Sequence, residues 1–146
     1  MAALTQSYET YEKPGLVVAY RVSNTKIFKG GLVGLNASGF AVPIAHSVSG
    51  LRFVGVANES VDNSTGSAGD RWVNVTKSGS FVMKAAGGFA PVNGDIGKEV
   101  YANTDWEVQV ATAGLSFPVK VGTVVGLETT STGAAGVRVR IDNHTS

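Results

Sequence analysis

The amino-acid sequence predicts an all-β fold made of many short strands. Its apolar runs are short, rich in β-branched residues and often alternate with polar residues, which is typical of half-buried strands. Glycine accounts for 19 of the 146 residues, separates these runs and marks turns between them. No long segment repeats apolar residues at helical spacing between capping residues. We therefore expect an all-β fold of the small barrel or sandwich type.

Nine segments are predicted to be strands, since each combines β-branched or aromatic residues with alternation or with a short continuous apolar run. In chain order they are LVVAYRV (16–22), FAVPIA (40–45), LRFVGVA (51–57), RWVNVTK (71–77), SFVMKAA (80–86), EVYAN (99–103), EVQVA (107–111), VKVGTVVGLE (119–128) and VRVRI (137–141). The glycine-rich stretch 30–39 is interpreted as a turn between strands. GDIGKE (94–99) is the one candidate for a short helical turn.

The chain repeats itself at an offset of 67 residues. The stretch VGVANESVDNSTGSAG (54–69) reads almost like VGTVVGLETTSTGAAG (121–136), and both lead into an alternating strand. Further matches at this offset are Gly30 with Gly97, Val33 with Val100, Asn36 with Asn103 and Gly69 with Gly136. After Asn103 one residue drops out, so that Val42 is matched with Val108.

We interpret the ranges 30–78 and 97–142 as an internal duplication. Two similar β units can then cover each other's edges, which removes exposed strand edges from the surface. The alternative is a chance alignment of β sequence rich in glycine, serine, threonine and valine.

Two kinds of residue in the repeat are expected to shape the backbone. Gly55 and Gly122 lie inside predicted strands, which indicates a β-bulge or a close approach of two backbones. Asn36 and Asn103 stand where a strand turns back, and asparagine tolerates left-handed backbone there. A further group is expected in the core or in contacts between subunits: Phe53, Trp72, Val75 and Phe81.

Residues 1–15, MAALTQSYETYEKPG, have no counterpart in the second half and are predicted to form an N-terminal arm. A disordered start is the ordinary interpretation of such a terminus. The alternative is an extended arm that docks on a neighbouring molecule through Tyr8 and Tyr11, since tyrosine supplies a large contact area at low entropic cost. Residues 16–146 are predicted to form a single β-barrel domain.

Composition and charge argue against several classes of protein. The formal net charge is +1 and 16% of the residues are charged, whereas capture of nucleic acid or of an anionic membrane needs a clustered basic surface. There is no cysteine, so disulfides and thiolate metal sites are excluded. The N-terminus lacks the pattern of a secretory signal, and no apolar stretch is long enough to cross a bilayer. We expect a soluble protein that is made in the cytoplasm without export.

No group of residues has the spacing of a catalytic or metal-binding site. The two histidines, His46 and His144, have no ligand spacing to each other or to a carboxylate. The stretch DNSTGSAGD, which starts at Asp62, departs from a calcium loop at its glycine and glutamate positions and is interpreted as a solvated turn. Four carboxylates are placed in an exposed hairpin rather than in a catalytic pair: Asp95, Glu99, Asp105 and Glu107. We expect no enzymatic activity, no metal and no cofactor.

The order of these elements resembles that of the capsid decoration, or cement, proteins of tailed bacteriophages. The segments that carry the resemblance are KGGLVGLNASGFAVPIA, LRFVGVANESVDNSTGSAGDRWVNVTKSGSFVM, DIGKEVYANTDWEVQVA, and VKVGTVVGLET followed by VRVRID. Together they span about residues 29–142, and what they share with the family is a pattern of strands and β-turns.

The resemblance implies a β-barrel or tulip-like body, usually a trimer, that binds the outside of an icosahedral head after expansion. It implies two partners, the major capsid protein and further copies of the chain, and a location on the outer capsid surface of the virion. It also implies an N-terminal arm that contacts the capsid or a neighbouring subunit. The contact candidates in this arm are Tyr8, Tyr11, Glu12 and Lys13.

Two other functions stay open. One is another virion component, a tail tube or head-fibre base, which is expected to show a long loop or a coiled-coil extension. The other is a carbohydrate-binding module, which needs an exposed row of aromatic side chains. Its candidates are Trp72, Phe89, Tyr101 and Trp106, and Trp106 is expected to be exposed on the turn after Asn103.

Overall fold

Alternating, β-branched sequence gives twelve strands within residues 17–142, the part of the chain that the computed structural model describes. The strands are β1 (Val17–Arg21), β2 (Lys26–Ile27), β3 (Leu32–Leu35), β4 (Ala41–Pro43), β5 (Arg52–Ala57), β6 (Val61–Asp62), β7 (Trp72–Thr76), β8 (Ser78–Ala85), β9 (Glu99–Ala102), β10 (Glu107–Gln109), β11 (Lys120–Thr129) and β12 (Ala135–Asp142). Within these residues the only helical element is a 3-10 turn, Asn93–Asp95. The prediction of an all-β fold is confirmed.

Each of the nine predicted segments contains a strand, and three short strands, β2, β3 and β6, are not predicted. The prediction of a turn over 30–39 is wrong for Leu32–Leu35, which forms β3. Gly34 reads as a turn residue, but its missing side chain serves packing, because a Cβ there would lie 3.0 Å from Cγ1 of Ile44. The helical turn predicted at 94–99 is observed over Asn93–Asp95, so it begins one residue earlier and is shorter. It cannot extend to residue 99, because Glu99 already belongs to β9.

Ten of the strands form two sheets of five strands each. The first sheet has the order β1-β7-β5-β3-β4, and a parallel bridge from Val22 to Ala41 links its two ends. The second sheet has the order β8-β12-β11-β9-β10, and β10 also pairs with β8, so its pairings return to the starting strand. Strands β2 and β6 pair separately. The two large sheets therefore place corresponding strands of the two halves in the same order.

The pairing register is shared as well. The matching pairs are Leu32–Val56 with Glu99–Thr123, Val33–Gly55 with Val100–Gly122, and Gly34–Phe53 with Tyr101–Lys120. In both sheets the register then skips one residue, Val54 or Val121, which is a β-bulge. At the glycines beside the bulge, Gly55 and Gly122, a Cβ would collide with a backbone oxygen of the neighbouring strand. The bulge and close backbone approach predicted at these two glycines are confirmed.

The match extends to β1 and β8, which lie outside the two predicted repeat ranges except for Ser78, the first residue of β8. Strand β1 pairs with β7 in the first sheet, and β8 pairs with β12 in the second. At the equivalent position of these two pairs, Arg21 faces Trp72 and Lys84 faces Gly136. Gly136 thus takes the position of Trp72, and the predicted match of Gly136 with Gly69 is wrong. The reason is that the connection leading into β12 is shorter than the one leading into β7, although both contain the same Ser-Thr-Gly turn.

The turns after β3 and β9 are equivalent. The amide of Asn36 donates to the carbonyl of Phe40 at 2.9 Å, and the amide of Asn103 donates to that of Glu107 at 2.7 Å. The prediction of left-handed backbone at these asparagines is wrong, since no residue of 17–142 other than glycine has a positive φ. Instead, the Asn36 side-chain oxygen accepts a hydrogen bond from the Phe40 amide at 3.0 Å. Gly39 takes the positive φ, at 85°.

The predicted loss of one residue after these turns is also wrong. Leu35 faces Ala41 as Ala102 faces Val108, so the counterpart of Val108 is Ala41 and not Val42. Two valines look alike in sequence, but a slip of one residue moves a side chain to the other face of the sheet. The hydrogen-bonded partner therefore decides the register.

The inward-facing side chains of each sheet form a buried cluster. The cluster of the first sheet contains Val22, Ile27, Val33, Ala41, Val54, Ala57, Val73 and Val75. The corresponding positions of the second sheet that are buried in its own cluster are Val100, Val108, Val121, Val124, Val137 and Val139. Three residues of the first half, Leu32, Ile44 and Val56, belong to the second cluster, so the two sheets pack against each other there.

The predicted core residues divide into two groups. Val75 is buried, and Phe53 and Phe81 are partly buried against the second cluster. Trp72 is 53% exposed, so it does not belong to the core of the chain.

Candidate binding surface

The predicted contact residues of the arm, Tyr8, Tyr11, Glu12 and Lys13, lie outside residues 17–142. Their role stays a prediction, as does the division of the chain into an arm, 1–15, and a domain, 16–146. A site must therefore be sought in the polar clusters, the exposed aromatic side chains and the exposed apolar side chains of the two sheets.

Three of the four clustered carboxylates form separate ion pairs with lysines. The pairs are Asp95–Lys98 at 3.2 Å, Glu99–Lys120 at 3.5 Å and Glu107–Lys84 at 3.4 Å. A hydrogen bond from the Val92 amide, and then one from Lys98, hold the pKa of Asp95 below its usual value. Partial burial raises the pKa of the fourth carboxyl, Asp105. Among residues 17–142, no three His, Cys, Asp or Glu side chains are grouped as metal ligands would be.

His46 connects the two halves of the chain. Its Nδ1 accepts a hydrogen bond from the Ser116 amide at 3.2 Å, and its carbonyl accepts one from the Phe117 amide at 2.9 Å. Its own amide donates to the carbonyl of Asn103 at 3.3 Å. These bonds give His46 a structural role. The second histidine, His144, lies outside the described residues.

The loop that resembles a calcium site is organised by Asn63, which is 1% exposed. Its Nδ2 lies 2.9 Å from the carbonyl oxygen of Ser67, 3.0 Å from that of Ser23 and 3.2 Å from that of Val22. The side-chain amide therefore ties the loop to the segment that follows β1. Its Oδ1 is buried and has no hydrogen-bond partner in the described part of the chain. The position between these three carbonyl oxygens is thus occupied by an N–H donor, whereas a calcium ion would have to bind the oxygens itself.

Trp72 lies on β7 and Trp106 lies in the turn between β9 and β10, and each has a cation beside its ring. Trp72 is 53% exposed, with the guanidinium carbon of Arg21 5.0 Å from its ring centre. Trp106 is 37% exposed, which confirms its predicted exposure, and the Lys84 ammonium lies 5.9 Å from its ring. Such contacts contribute about 0.5–1 kcal/mol at exposed sites. Each ring therefore already has a cationic partner within the chain, Arg21 on β1 for Trp72 and Lys84 on β8 for Trp106.

A third aromatic candidate, Phe89, lines a cleft of about 440 Å³ together with Asn103 and Gln109. The side-chain amide of Gln109 donates to the carbonyls of Ala111 and Ala113, at 2.8 and 3.1 Å. Its oxygen accepts a hydrogen bond from the Asn103 side chain at 3.1 Å. The polar groups of the cleft are thus bonded to one another, whereas a sugar site needs polar groups that are directed at the ligand.

The exposed apolar side chains include a group around the 3-10 turn. Val92, Ile96 and Val125 are 58%, 48% and 43% exposed, respectively. Val92 and Ile96 flank the turn, and the amide of Gly97 donates to the carbonyl of Val124 at 2.8 Å, which brings Ile96 and Val125 onto adjacent segments. These three side chains, Val92, Ile96 and Val125, are called the apolar patch below.

The first sheet has polar residues where the second has the apolar patch. An equivalent hydrogen bond, donated by the Gly30 amide, makes Lys29 the counterpart of Ile96 and Asn58 the counterpart of Val125. Lys29 and Asn58 are exposed. At these two positions the same backbone geometry therefore carries polar side chains in the first sheet and apolar ones in the second. We therefore take the apolar patch as the candidate contact surface of the chain.

The apolar patch is not among the surfaces predicted from the sequence, although the sequence contains a signal for it. At the offset of 67 residues, Lys29 aligns with Ile96 and Asn58 with Val125. A single apolar residue in a turn is ordinary on a protein surface. Only the comparison of the two repeats reveals that the chemistry changes while the backbone stays the same.

Comparisons of this chain with protein-family models, with curated proteins and with solved structures give no match. Over residues 17–142, no helix has the length and apolar character needed to span a membrane.

Proposed function

We propose that this protein is a structural virion component that binds the outside of an icosahedral phage head and stabilises the capsid lattice. In this proposal the body is a small β-barrel or tulip-like structure built from two copies of one β unit, and residues 1–15 form an arm. Its partners are the major capsid protein and further copies of the chain, assembled as a homotrimer on the outer capsid surface. The proposal includes no catalysis, no cofactor, and no binding to nucleic acid or membrane.

The apolar patch carries this proposal. Protein contact surfaces are apolar at their centre and poor in charge there, and the patch replaces a lysine and an asparagine by Ile96 and Val125. The replacement exposes apolar surface to water without any gain for the fold. A protein partner that covers the patch gives that exposure a function.

The expected strength of this contact fits attachment to a lattice. Full burial of a valine or isoleucine side chain stabilises by about 1.5–3 kcal/mol, and Ile96 and Val125 are each about half exposed. Covering each of them therefore contributes about 1 kcal/mol. One such contact is weak, but several contacts made together by an oligomer on a repeating surface combine into stable attachment.

The two sheets support the proposal in a second way. Their common strand order and register are what an internal duplication produces. Pairing of β10 with β8 in the second sheet, and the Val22–Ala41 bridge in the first, reduce the strand edge left open. A rigid body with few open edges suits a protein that is displayed in many copies without aggregation.

The experiment that tests the proposal compares head binding by two double variants. In the first, Ile96→Lys with Val125→Asn, the second sheet receives the residues of the first. In the control, Phe28→Lys with Val48→Asn, one exposed apolar side chain again becomes lysine and one exposed valine again becomes asparagine, at positions that are 59% and 46% exposed. Each protein is mixed with expanded empty heads of the phage that is proposed to carry it and is sedimented.

The patch variant is expected to fold with an unchanged melting temperature and to bind heads at least tenfold more weakly, while the control binds as the parent does. Equal binding by both variants would remove the observation on which the proposal rests. Absence of binding by the parent protein itself would reject the decoration function and favour a tail component or a carbohydrate-binding module.

A further inference from the structure

The two sheets of one chain meet head to tail. The turn after β9 lies against the end of the first sheet, where the Leu32 amide donates to the Asp105 carbonyl at 2.7 Å and the His46 amide donates to the Asn103 carbonyl at 3.3 Å. A turn of one sheet thus contacts the strand ends of the other. Because the two surfaces are different, this contact is of the heterologous type, which can be repeated from one unit to the next.

The surface that receives the turn is buried and apolar. Leu32, Ile44 and Val56 are 1%, 1% and 3% exposed. Phe53 and Val119, the latter from the second half, pack against the same cluster. The four residues of the first half, Leu32, Ile44, Phe53 and Val56, are called the receiving end of the first sheet.

The second sheet has a corresponding receiving end, and it is open. By the shared register, Leu32 corresponds to Glu99, Phe53 to Lys120 and Ile44 to Ala111. Glu99, Lys120 and Ala111 are exposed. Glu99 and Lys120 form an ion pair at 3.5 Å, so the open receiving end presents charge where the covered one is apolar.

The first sheet, in turn, has an open copy of the turn. Residues 36–40 correspond to 103–107, and Ala37, Ser38 and Gly39 within them are exposed. Arg52 is exposed beside this turn, with its Nη2 3.4 Å from the carbonyl oxygen of Asn36. Within the chain, the turn 103–107 contacts the receiving end of the first sheet. The equivalent turn, 36–40, and the receiving end of the second sheet are both left exposed.

One pair of charged residues on the two open surfaces is complementary. Within the chain, Val119 and Leu32 belong to one apolar cluster, and their counterparts are Arg52 and Glu99, which carry opposite charges. The surrounding regions follow the same trend. Residues 17–78 contain six Lys and Arg against three Asp and Glu, a net charge of +3, whereas residues 79–142 contain five against six, a net charge of −1. Such complementarity guides and orients association.

We propose that a second copy of the chain docks its 36–40 turn, with Arg52, on the open receiving end at Glu99 and Lys120. The contact repeats between chains the one that joins the two sheets within a chain. Continued from copy to copy, it closes into a ring of cyclic symmetry if the rotation allows. The inference rests on the self-association part of the proposed function and states which surfaces bring it about.

A contact between exposed charges is weak and depends on salt, because ions screen it over about 10 Å at 0.1 M ionic strength. It therefore forms at high protein concentration or on a lattice that holds the copies close together.

The test is sedimentation velocity of the full chain over a range of concentrations at 20 mM and 500 mM salt. The parent protein is expected to self-associate at low salt and to do so at least tenfold more weakly at high salt. The single variants Glu99→Arg and Arg52→Glu are each expected to weaken self-association at least tenfold. The control variants Glu128→Arg and Arg71→Glu change exposed residues elsewhere by the same charge and are expected to associate as the parent does.

Mixing the two single variants separates a specific contact from a general charge effect. In the mixture each variant supplies the surface that the other has lost, so both charge-complementary pairings form, one with the parental residues and one with the residues exchanged. Because these pairings alternate around a ring, one of the three contacts of a trimer stays mismatched, and the mixture is expected to associate more strongly than either variant alone but more weakly than the parent. Glu99→Gln, which removes the charge without repelling Lys120, is expected to weaken association less than Glu99→Arg. Circular dichroism melts verify that each variant is folded before it is compared.

The outcomes are distinct from those of the head-binding experiment. A parent protein that stays monomeric at low salt, or a mixture that associates no more strongly than either variant alone, would overturn this inference and would identify the charged end as a solvated cap. Head binding by such a monomer would leave the decoration function standing. Charge-dependent association without head binding would support the inference and reject the decoration function.

Discussion

Replacement of Gly122 by alanine tests whether the second sheet depends on the same close backbone approach as the first. A Cβ at Gly122 would collide with the backbone oxygen of Arg140 and would lie 2.8 Å from Cγ1 of Val139. Because both contacts are in the interior of the β11–β12 pair, the strands must separate locally. Overpacking of this kind costs about 1–3 kcal/mol. We therefore expect Gly122→Ala to lower the free energy of unfolding by about 2 kcal/mol.

The same replacement at Gly55 is expected to cost more. Its Cβ would collide with the backbone oxygen of Thr76 in the same way, and Gly55 also has a φ of +143°, which an alanine rarely adopts. Backbone strain adds about 1–3 kcal/mol, so Gly55→Ala should destabilise by about 4 kcal/mol. Gly94→Ala is the control, because nothing lies within 4 Å of its Cβ position, and a change within about 0.5 kcal/mol is expected.

The assay for all three variants is urea unfolding followed by circular dichroism and tryptophan fluorescence, with thermal melts as a second measure. For a domain of this size about 1 kcal/mol corresponds to about 3 °C in melting temperature. We expect midpoints in the order Gly94→Ala, Gly122→Ala, Gly55→Ala, from most to least stable. A Gly122→Ala protein as stable as Gly94→Ala would refute the reasoning that the two bulges are equivalent.

Further variants address the acidic turn, the buried amide and the arm. The pKa of Asp95 is lowered in the folded chain, so its carboxylate stabilises the fold above its unfolded pKa of about 3.9, and this stabilisation is lost as pH falls through the folded pKa. In urea unfolding between pH 3 and 7, the parent should therefore be more stable than Asp95→Asn near neutral pH and should lose that advantage in acid. A stability difference that does not change with pH would contradict this. In the same assay Asn63→Ala should lower the free energy of unfolding by about 2 kcal/mol, because it removes the side-chain amide whose two hydrogens bond the carbonyls of Val22, Ser23 and Ser67. A decrease below about 0.5 kcal/mol would show that other contacts hold the loop. Deletion of residues 2–14 should leave the melting temperature unchanged and weaken head binding in co-sedimentation, and a truncated chain that does not fold would show that the arm is part of the body.

The strands that the sequence predicts are those with enough residues to show a period. Strands β2 and β6 have two residues each, too few for alternation to be seen. Strand β3 was hidden because Gly34 reads as a turn residue, although it is a glycine for reasons of packing against Ile44. Local patterns therefore predict strands well where side chains alternate, and poorly where a contact from elsewhere in the chain decides the residue.

The repeat was visible in the sequence, but its register was not. The pairing partners of Gly136 and Val108 correct two of the sequence matches, because similar small and β-branched residues align equally well one or a few positions away. The repeat also proved longer than its sequence signal, since β1 and β8 share a pairing pattern while their sequences differ. Hydrogen-bonded partners are long-range information that a single sequence does not contain.

The candidate surfaces were harder to predict than the fold. The arm residues Tyr8 and Tyr11 stand out by composition, yet they lie outside the described part of the chain. The apolar patch consists of side chains that are unremarkable singly and that become informative only beside Lys29 and Asn58. Contact surfaces without catalytic residues have no sequence motif, so they emerge from the comparison of equivalent positions.

The decoration function is tested by co-sedimentation of the purified chain with heads before and after expansion. We expect saturable binding to expanded heads, none to unexpanded heads, and a bound copy number in a fixed ratio to the major capsid protein. We also expect the bound protein to raise the temperature at which the heads break open. Absence of binding to both kinds of head, under conditions in which the chain is folded, would contradict the account.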